Sequence, residues 1–180
     1  MELALPRGMN NTCSTTTRRF LMKGVAGRAI EMVTQKLPPS GLRATILVGN
    51  ESRYLGAVRR FMHLVTAECP INPEEAYVVT LAIDEAVANI MEHGYGAGKP
   101  GFVRVEVEID DREFKAVIAD RGTYFDLTAL PPLDLRSHVQ DGRSRGLGVF
   151  MIRKLMEQVE YRVNEDGENE LSLKKLLERV

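Results

Sequence analysis

The chain has 180 residues, 44% of them hydrophobic, and a formal net charge of −1. That is enough chain for one domain with a real core plus an extension, and too little net charge to draw it to nucleic acid or an anionic surface. No apolar run is long enough to span a bilayer. Cys13 and Cys69 form neither a metal spacing nor a disulfide framework, so a reducing, cytoplasmic setting is expected.

In chain order, residues 1 to 19 hold little to bury: Asn10, Asn11 and the Ser/Thr run 14 to 17 read as disordered. They also lack the charged-then-apolar order of a secretory signal. Residues 1 to 37 are locally basic, with Arg7, Arg18, Arg19, Lys23, Arg28 and Lys36 against Glu2 and Glu31. Within them, RRFLMKGVAGRAIEMVTQKL spaces Leu21, Val25, Ala29 and Met22, Ala26, Ile30, Val33 as an amphipathic helix would, although Gly24 and Gly27 weaken it. The expectation is a flexible or partly helical extension, loosely docked. LPPSG at 37 to 41 reads as a linker.

A compact unit follows, over about 40 to 178. ATILVG (44 to 49) reads as a strand. Residues 51 to 68 read as a helix, with Tyr54, Leu55, Val58, Phe61, Met62 and Val65 on one face. Asn72, Pro73 and Glu75 form a cap, first position and capping box for a helix that runs to about His93. FVRVEVEID alternates Val103, Val105, Val107 and Ile109 with Arg104, Glu106 and Glu108, and EFKAVIAD follows after a tight turn, so a hairpin is expected. Residues 122 to 145 have no period. A helix from Leu147 to about Gln158 and the strands VEYRV and NELSLKKLL complete the chain. The order β-α-α-β-β-loop-α-β-β predicts an α/β (α+β) two-layer sandwich, with helices on one face of a mixed, mostly antiparallel sheet.

Three stretches carry candidate chemistry. In IDEAVANIMEHGYG, the core stripe is Val79, Ile83, Val87 and Ile90, and Glu85 and Asn89 lie well off it, on a side shared with Val78 and Ala82. That suits a pocket wall. The carboxylate can serve as a general base, and the amide oxygen is a hard ligand suited to Mg²⁺ shared with phosphates. The plainer reading is a surface pair worth a few tenths of a kcal/mol. Asp84 reads as a solvated helix charge, and Glu92 and His93 as ambiguous.

In AVIADRGTYFD, strand alternation ends in Asp120, just before Gly122. A carboxylate there can accept from an exocyclic amine such as adenine's, or simply make a common Asp-x-Gly turn. In GRSRGLGVFMIRKLM, Gly146 and Gly148 stand at a helix start, with Arg143 and Arg145 upstream. Free N–H groups and the helix dipole attract phosphate at such a place. The spacing is neither a Walker A loop nor a dinucleotide fingerprint, and a flexible glycine-rich helix start is the alternative. The long loop before it has the length of a lid.

Taken in this fixed order, the three stretches resemble the GHKL (Bergerat-fold) ATP-binding family. Glu85 to Asn89 look like its N box, Asp120 to Gly122 its first glycine box and Gly146-Leu147-Gly148 its second. DRGTYFD and RGLGVFMIRKLMEQVEY followed by ENELSLKK look most like its anti-sigma-factor serine/threonine kinase branch. The resemblance covers about residues 40 to 177. It implies a histidine kinase-like ATP-binding domain that uses ATP and Mg²⁺. Glu85 would be general base and Asn89 the Mg²⁺ ligand. Asp120 would bind the adenine amine, with Gly122 giving room for the base. Gly146, Leu147 and Gly148 would receive phosphates, Arg145 would meet the γ-phosphate, and Ser172 would stand near adenine. Tyr124 replaces the family's second glycine in this box. The resemblance further implies a STAS-domain protein as substrate, a sigma factor as second partner and a homodimer. Histidine kinases share the nucleotide fold but add a helical segment with a phospho-accepting histidine. His63 sits instead inside the compact unit and reads as structural. A nucleotide-gated binding module without catalysis is the alternative function.

Overall fold

The computed structural model describes residues 17–23, 29–37, 41–96, 99–124, 126, 129 and 147–178. The strands are β1 (Thr17–Lys23), β2 (Ala29–Leu37), β3 (Gly41–Gly49), β4 (Phe102–Ile109), β5 (Glu113–Asp120), β6 (Gln158–Val163) and β7 (Asn169–Leu176). The helices are α1 (Leu55–Ala67, entered through a 3₁₀ turn at Ser52–Tyr54), α2 (Pro73–His93) and α3 (Leu147–Leu155). The strands form one seven-stranded sheet in the order β1-β2-β3-β4-β5-β7-β6. The expected sheet is mixed and mostly antiparallel; among the described strands every neighbouring pair is antiparallel.

The helices pack on one face. Val103, Val105, Val107 and Ile109 of β4 are fully buried beneath them, with Ile46 and Val48 of β3 and Phe114 and Ile118 of β5. The other face of the sheet is laced with ion pairs. Arg43 donates to Glu108 directly opposite, at 3.1 and 2.6 Å, Arg104 to Glu168 at 3.0 Å, and Lys174 pairs with Glu113 at 2.7 Å. A charged face of this kind has nothing to bury, which explains why one helix layer suffices.

The largest departure is at the N-terminal end. Over Thr17–Lys23 and Ala29–Leu37 the helical periodicity is not realised: β1 and β2 pair antiparallel and extend the sheet beyond β3. Gly24 and Gly27 fall in the middle of the expected helix, where each disfavours it. The outer edge of β3 also presents a row of N–H and C=O groups, a template on which another strand can pair. Met32, opposite Ile46, is buried at 5% exposure and extends the core. Residues 1 to 16 and the linker residues 38 to 40 lie outside the described residues.

The central helix follows local rules more closely. Asn72 accepts from the Glu75 N–H at 2.8 Å, and Pro73 occupies the first turn. Glu75 does not close the reciprocal box: its Oε2 accepts from the Asn72 amide at 3.1 Å, and its Oε1 from the N–H of Glu178 at 2.9 Å. The start of α2 thus fastens the end of the chain, beside buried Leu177. Asn72→Ala is expected to lower stability by about 1 kcal/mol, read as a shift in denaturant midpoint.

α2 lies between α1 and α3, so it buries more than one stripe: Ala82, Ala86 and Met91 join Val79, Ile83, Val87 and Ile90. Asp84 is not a free solvated charge. Its side chain is only 15% exposed, and Arg59 of α1 grips both oxygens at 2.8 and 2.7 Å. His63, read as structural, is an exposed residue of α1. Among the described residues no helix is long and apolar enough to cross a membrane.

Candidate active site

α2 presents Glu85 and Asn89 toward α3. The contact is close: a Cβ built on Gly148 would fall on Glu85 Oε2 and lie 3.4 Å from Asn89 Nδ2. The glycine at the start of α3 therefore admits the α2 pair, and three residues 63 positions apart in sequence at their extremes become neighbours (Glu85 and Gly148). Asn89 Nδ2 donates to the backbone carbonyl of Glu85 at 2.8 Å. This fixes the amide and leaves its Oδ1 without a donor among the described residues. The Glu85 carboxylate likewise accepts no hydrogen bond from a described residue.

Asp120 ends β5 on the helix side of the sheet, at 5% exposure. Its Oδ1 accepts from the Gly122 N–H at 2.6 Å and the Asn169 amide at 3.3 Å, while Oδ2 has no donor among the described residues. Burial raises its pKa above the ordinary aspartate value, the Gly122 N–H and the Asn169 amide pull it back, and the nearby Glu168 charge adds to the rise. Asp120 opens into a small pocket lined by Asn89, Ile90, Gly94, Thr123, Tyr161 and Leu171. Asn89 of α2 and the strand-end carboxylate thus line one pocket.

The Gly94-Tyr95-Gly96 stretch is what joins them. The Gly94 carbonyl accepts from the Thr123 N–H at 2.5 Å, and a Cβ on Gly122 would fall on that same carbonyl oxygen. Gly122 was expected to give room to a base; the space its missing side chain leaves is filled by the Gly94 backbone and by Asp120 Oδ1, 2.8 Å from the built Cβ. The Tyr95 hydroxyl donates to the Phe102 carbonyl at 2.9 Å and accepts from the Arg121 N–H at 3.2 Å. It staples the end of α2 to the start of β4 and the exit of β5.

Ser172 is not at this site. On β7, Asn169, Leu171 and Leu173 pair with Asp120, Ile118 and Ala116 and share their helix-side face, so Ser172, opposite Val117, lies on the far face. Asn169 is the β7 residue that reaches Asp120. Sequence reasoning missed it, although the alternation through Leu171 and Leu173 carries the needed parity. Tyr161 was also missed; the Tyr124 ring meets it edge-on at 5.3 Å. Leu147 opens α3, whereas Arg145, Gly146 and most of the lid-length loop lie outside the described residues.

Among the described residues no cluster of three His, Cys, Asp or Glu side chains can cage a metal. An amide oxygen and a carboxylate, both without a donor among the described residues, form instead the sparse oxygen set that suits Mg²⁺, which keeps waters and shares phosphate oxygens. The donor chemistry fits.

Residues 48–175 match the family model for the histidine kinase-like ATPase domain. The chain is also similar to proteins named serine-protein kinase RsbW. That of Halalkalibacterium halodurans is 28% identical over 133 residues, covering 72% of this chain and 80% of that protein. That of Bacillus licheniformis is 27% identical over 130 residues, 70% and 80% of the two chains. That of Staphylococcus aureus is 27% identical over 113 residues, 60% and 71%.

Proposed function

Because the chain belongs to the histidine kinase-like ATPase domain family, we propose that it is an ATP-dependent kinase of the anti-sigma-factor type, acting on a serine or threonine of a partner protein. The observation that carries this reading is a carboxylate and an amide oxygen, both without donors among the described residues, set against the start of α3, with the amide side chain also lining the pocket that holds Asp120.

In this reading the adenine amine donates to Asp120 Oδ2, the oxygen left over by Gly122 and Asn169. The phosphates run toward α3, whose first N–H groups and dipole favour anions. Asn89 Oδ1 would hold Mg²⁺, which supplies charge neutralisation at the phosphates. The partner hydroxyl oxygen attacks the γ-phosphorus as the bond from that phosphorus to the β,γ-bridging oxygen breaks. Glu85 takes the hydroxyl proton, and ADP departs with the bond's electron pair. A pure nucleotide binder has no use for a carboxylate in this place, which favours a kinase over a nucleotide-gated binding module.

The partner class follows from the kinase branch: a STAS-domain antagonist as phosphate acceptor, and a sigma factor or related regulator as the protein released or held. The test is incubation with γ-labelled ATP, Mg²⁺ and STAS-domain proteins of the same genome. Label on a partner serine or threonine is expected. Partner binding without label would establish the binding module instead, and phosphate release alone a simple ATPase. Asp120→Asn is expected to weaken ATP binding by about 10- to 100-fold, since an amide N–H₂ would meet the base amine. Equal affinity would remove Asp120 from the site.

A further inference from the structure

We propose that Asn169 is a positioning residue of the base pocket: its amide holds the Asp120 carboxylate so that a single oxygen, Oδ2, meets the nucleobase amine. The inference rests on the ATP-binding reading above and adds a residue and a selectivity device to it.

Asn169 and Asp120 are direct cross-strand neighbours on β7 and β5, each only 5% exposed. A buried amide must spend its donors, and Asn169 Nδ2 has two acceptors: Asp120 Oδ1 at 3.3 Å and the Gly122 carbonyl at 3.2 Å. The Gly122 N–H, at 2.6 Å, falls on the same Oδ1. Both donors therefore occupy one carboxylate oxygen, which fixes the rotation of the group and turns the other oxygen loose. The second bond ties the Asp120–Gly122 turn to β7, so the carboxylate and the backbone beneath it move together. The hairpin that delivers Asn169 is itself built to hold position. Gly167 takes the left-handed φ of 74° there, and Asn164 Oδ1 accepts from the N–H groups of Asp166 and Glu168 at 3.0 and 2.9 Å.

Among the described residues the charged and titratable groups around Asp120 are few. Glu168, beside Asn169, faces it and is held by Arg104 at 3.0 Å and Arg121 at 3.2 Å. The Tyr95 hydroxyl approaches from the end of α2 and is occupied by Phe102 and Arg121 backbone. From α2 and β6, the pocket receives Asn89, Ile90 and Tyr161. Burial pushes the Asp120 carboxyl up, and the Asn169 amide is one of two groups that pull it down. Accepting a hydrogen bond from the base amine requires the ionised form. Binding is thus lost as pH falls through the Asp120 pKa, and losing the Asn169 donor moves that loss to higher pH.

The experiment compares wild type, Asn169→Ala and Asn169→Leu by calorimetry across pH. The probes are ATP and purine riboside triphosphate, which lacks only the 6-amine, and each variant's melting temperature is recorded. Asn169→Ala removes the donor without adding bulk or a charge beside Asp120, so it decides the matter if the leucine variant does not fold. Both variants are expected to weaken ATP by about tenfold or more at pH 7. Purine riboside triphosphate should weaken less than about twofold, and the acid limb of ATP binding should move to higher pH. Equal loss of both nucleotides, or an unmoved acid limb, overturns the proposal, because a merely structural residue would act that way. If wild type binds ATP, Asp120→Asn weakens that binding and the Asn169 variants bind normally, this inference fails and the ATP site stands. If wild type binds no ATP, both fall.

Discussion

Glu85→Gln is expected to bind ATP as the wild type does and to transfer its γ-phosphoryl group about 10²- to 10⁴-fold more slowly. Glutamine keeps the length and shape of the side chain, so the contact with Gly148 and the α2–α3 packing survive. What it loses is the acceptor that the proposed mechanism assigns to the hydroxyl proton. No described residue donates to the Glu85 carboxylate, which leaves both oxygens available for that proton. The check is a pair of measurements, nucleotide affinity and label on the partner. A variant that still labels the partner at the wild-type rate would show that the base lies elsewhere.

Gly122→Ala and Gly148→Ala are expected to fail in opposite ways. At Gly122 the added Cβ would fall on the Gly94 carbonyl oxygen and lie 2.7 Å from its carbon, both backbone atoms. Backbone cannot swing aside, so the turn must shift, breaking the Thr123-to-Gly94 and Asn169-to-Gly122 bonds. The expected cost is about 1–3 kcal/mol, with ATP binding lost. In a domain of this size each kcal/mol lowers the melting temperature by about 2–4 °C. At Gly148 the Cβ meets the end of the Glu85 side chain, which can rotate. Alanine also favours the helix over glycine by up to about 1 kcal/mol. Gly148→Ala should therefore melt near the wild-type temperature yet lose phosphoryl transfer, because its carboxylate is displaced. Thermal melts and transfer assays on the two proteins separate these outcomes. A Gly148→Ala protein with full activity would mean that Glu85 does not work from the position it holds here.

Much of the fold was legible because its determinants are local. Asn72, Pro73 and the stripe Val79, Ile83, Val87, Ile90 define α2 from one end to the other. Val103 to Ile109 alternate with charges because one face of β4 meets the helices and the other meets water. The order of elements from β3 to β7 follows from such patterns. The N-terminal hairpin did not, since its glycine-interrupted sequence suits a weak helix as well as two strands. The open edge of β3, a feature of the assembled sheet, decided between them.

The candidate site divides along the same line. The sequence by itself determined the chemical types, a carboxylate and amide four apart on α2, an aspartate at a strand end and a glycine at a helix start, and with them the family. Only the tertiary structure decided which atoms meet. It set Asn169 against Asp120 across 49 positions and left Ser172 on the other face. It brought the Gly94 carbonyl to Gly122 and bound Asp84 to Arg59. Helical and strand periods state which residues share a face, but not which face of which element lies opposite. That depends on register between strands and on the packing of α2 between α1 and α3, which form only when the whole core does.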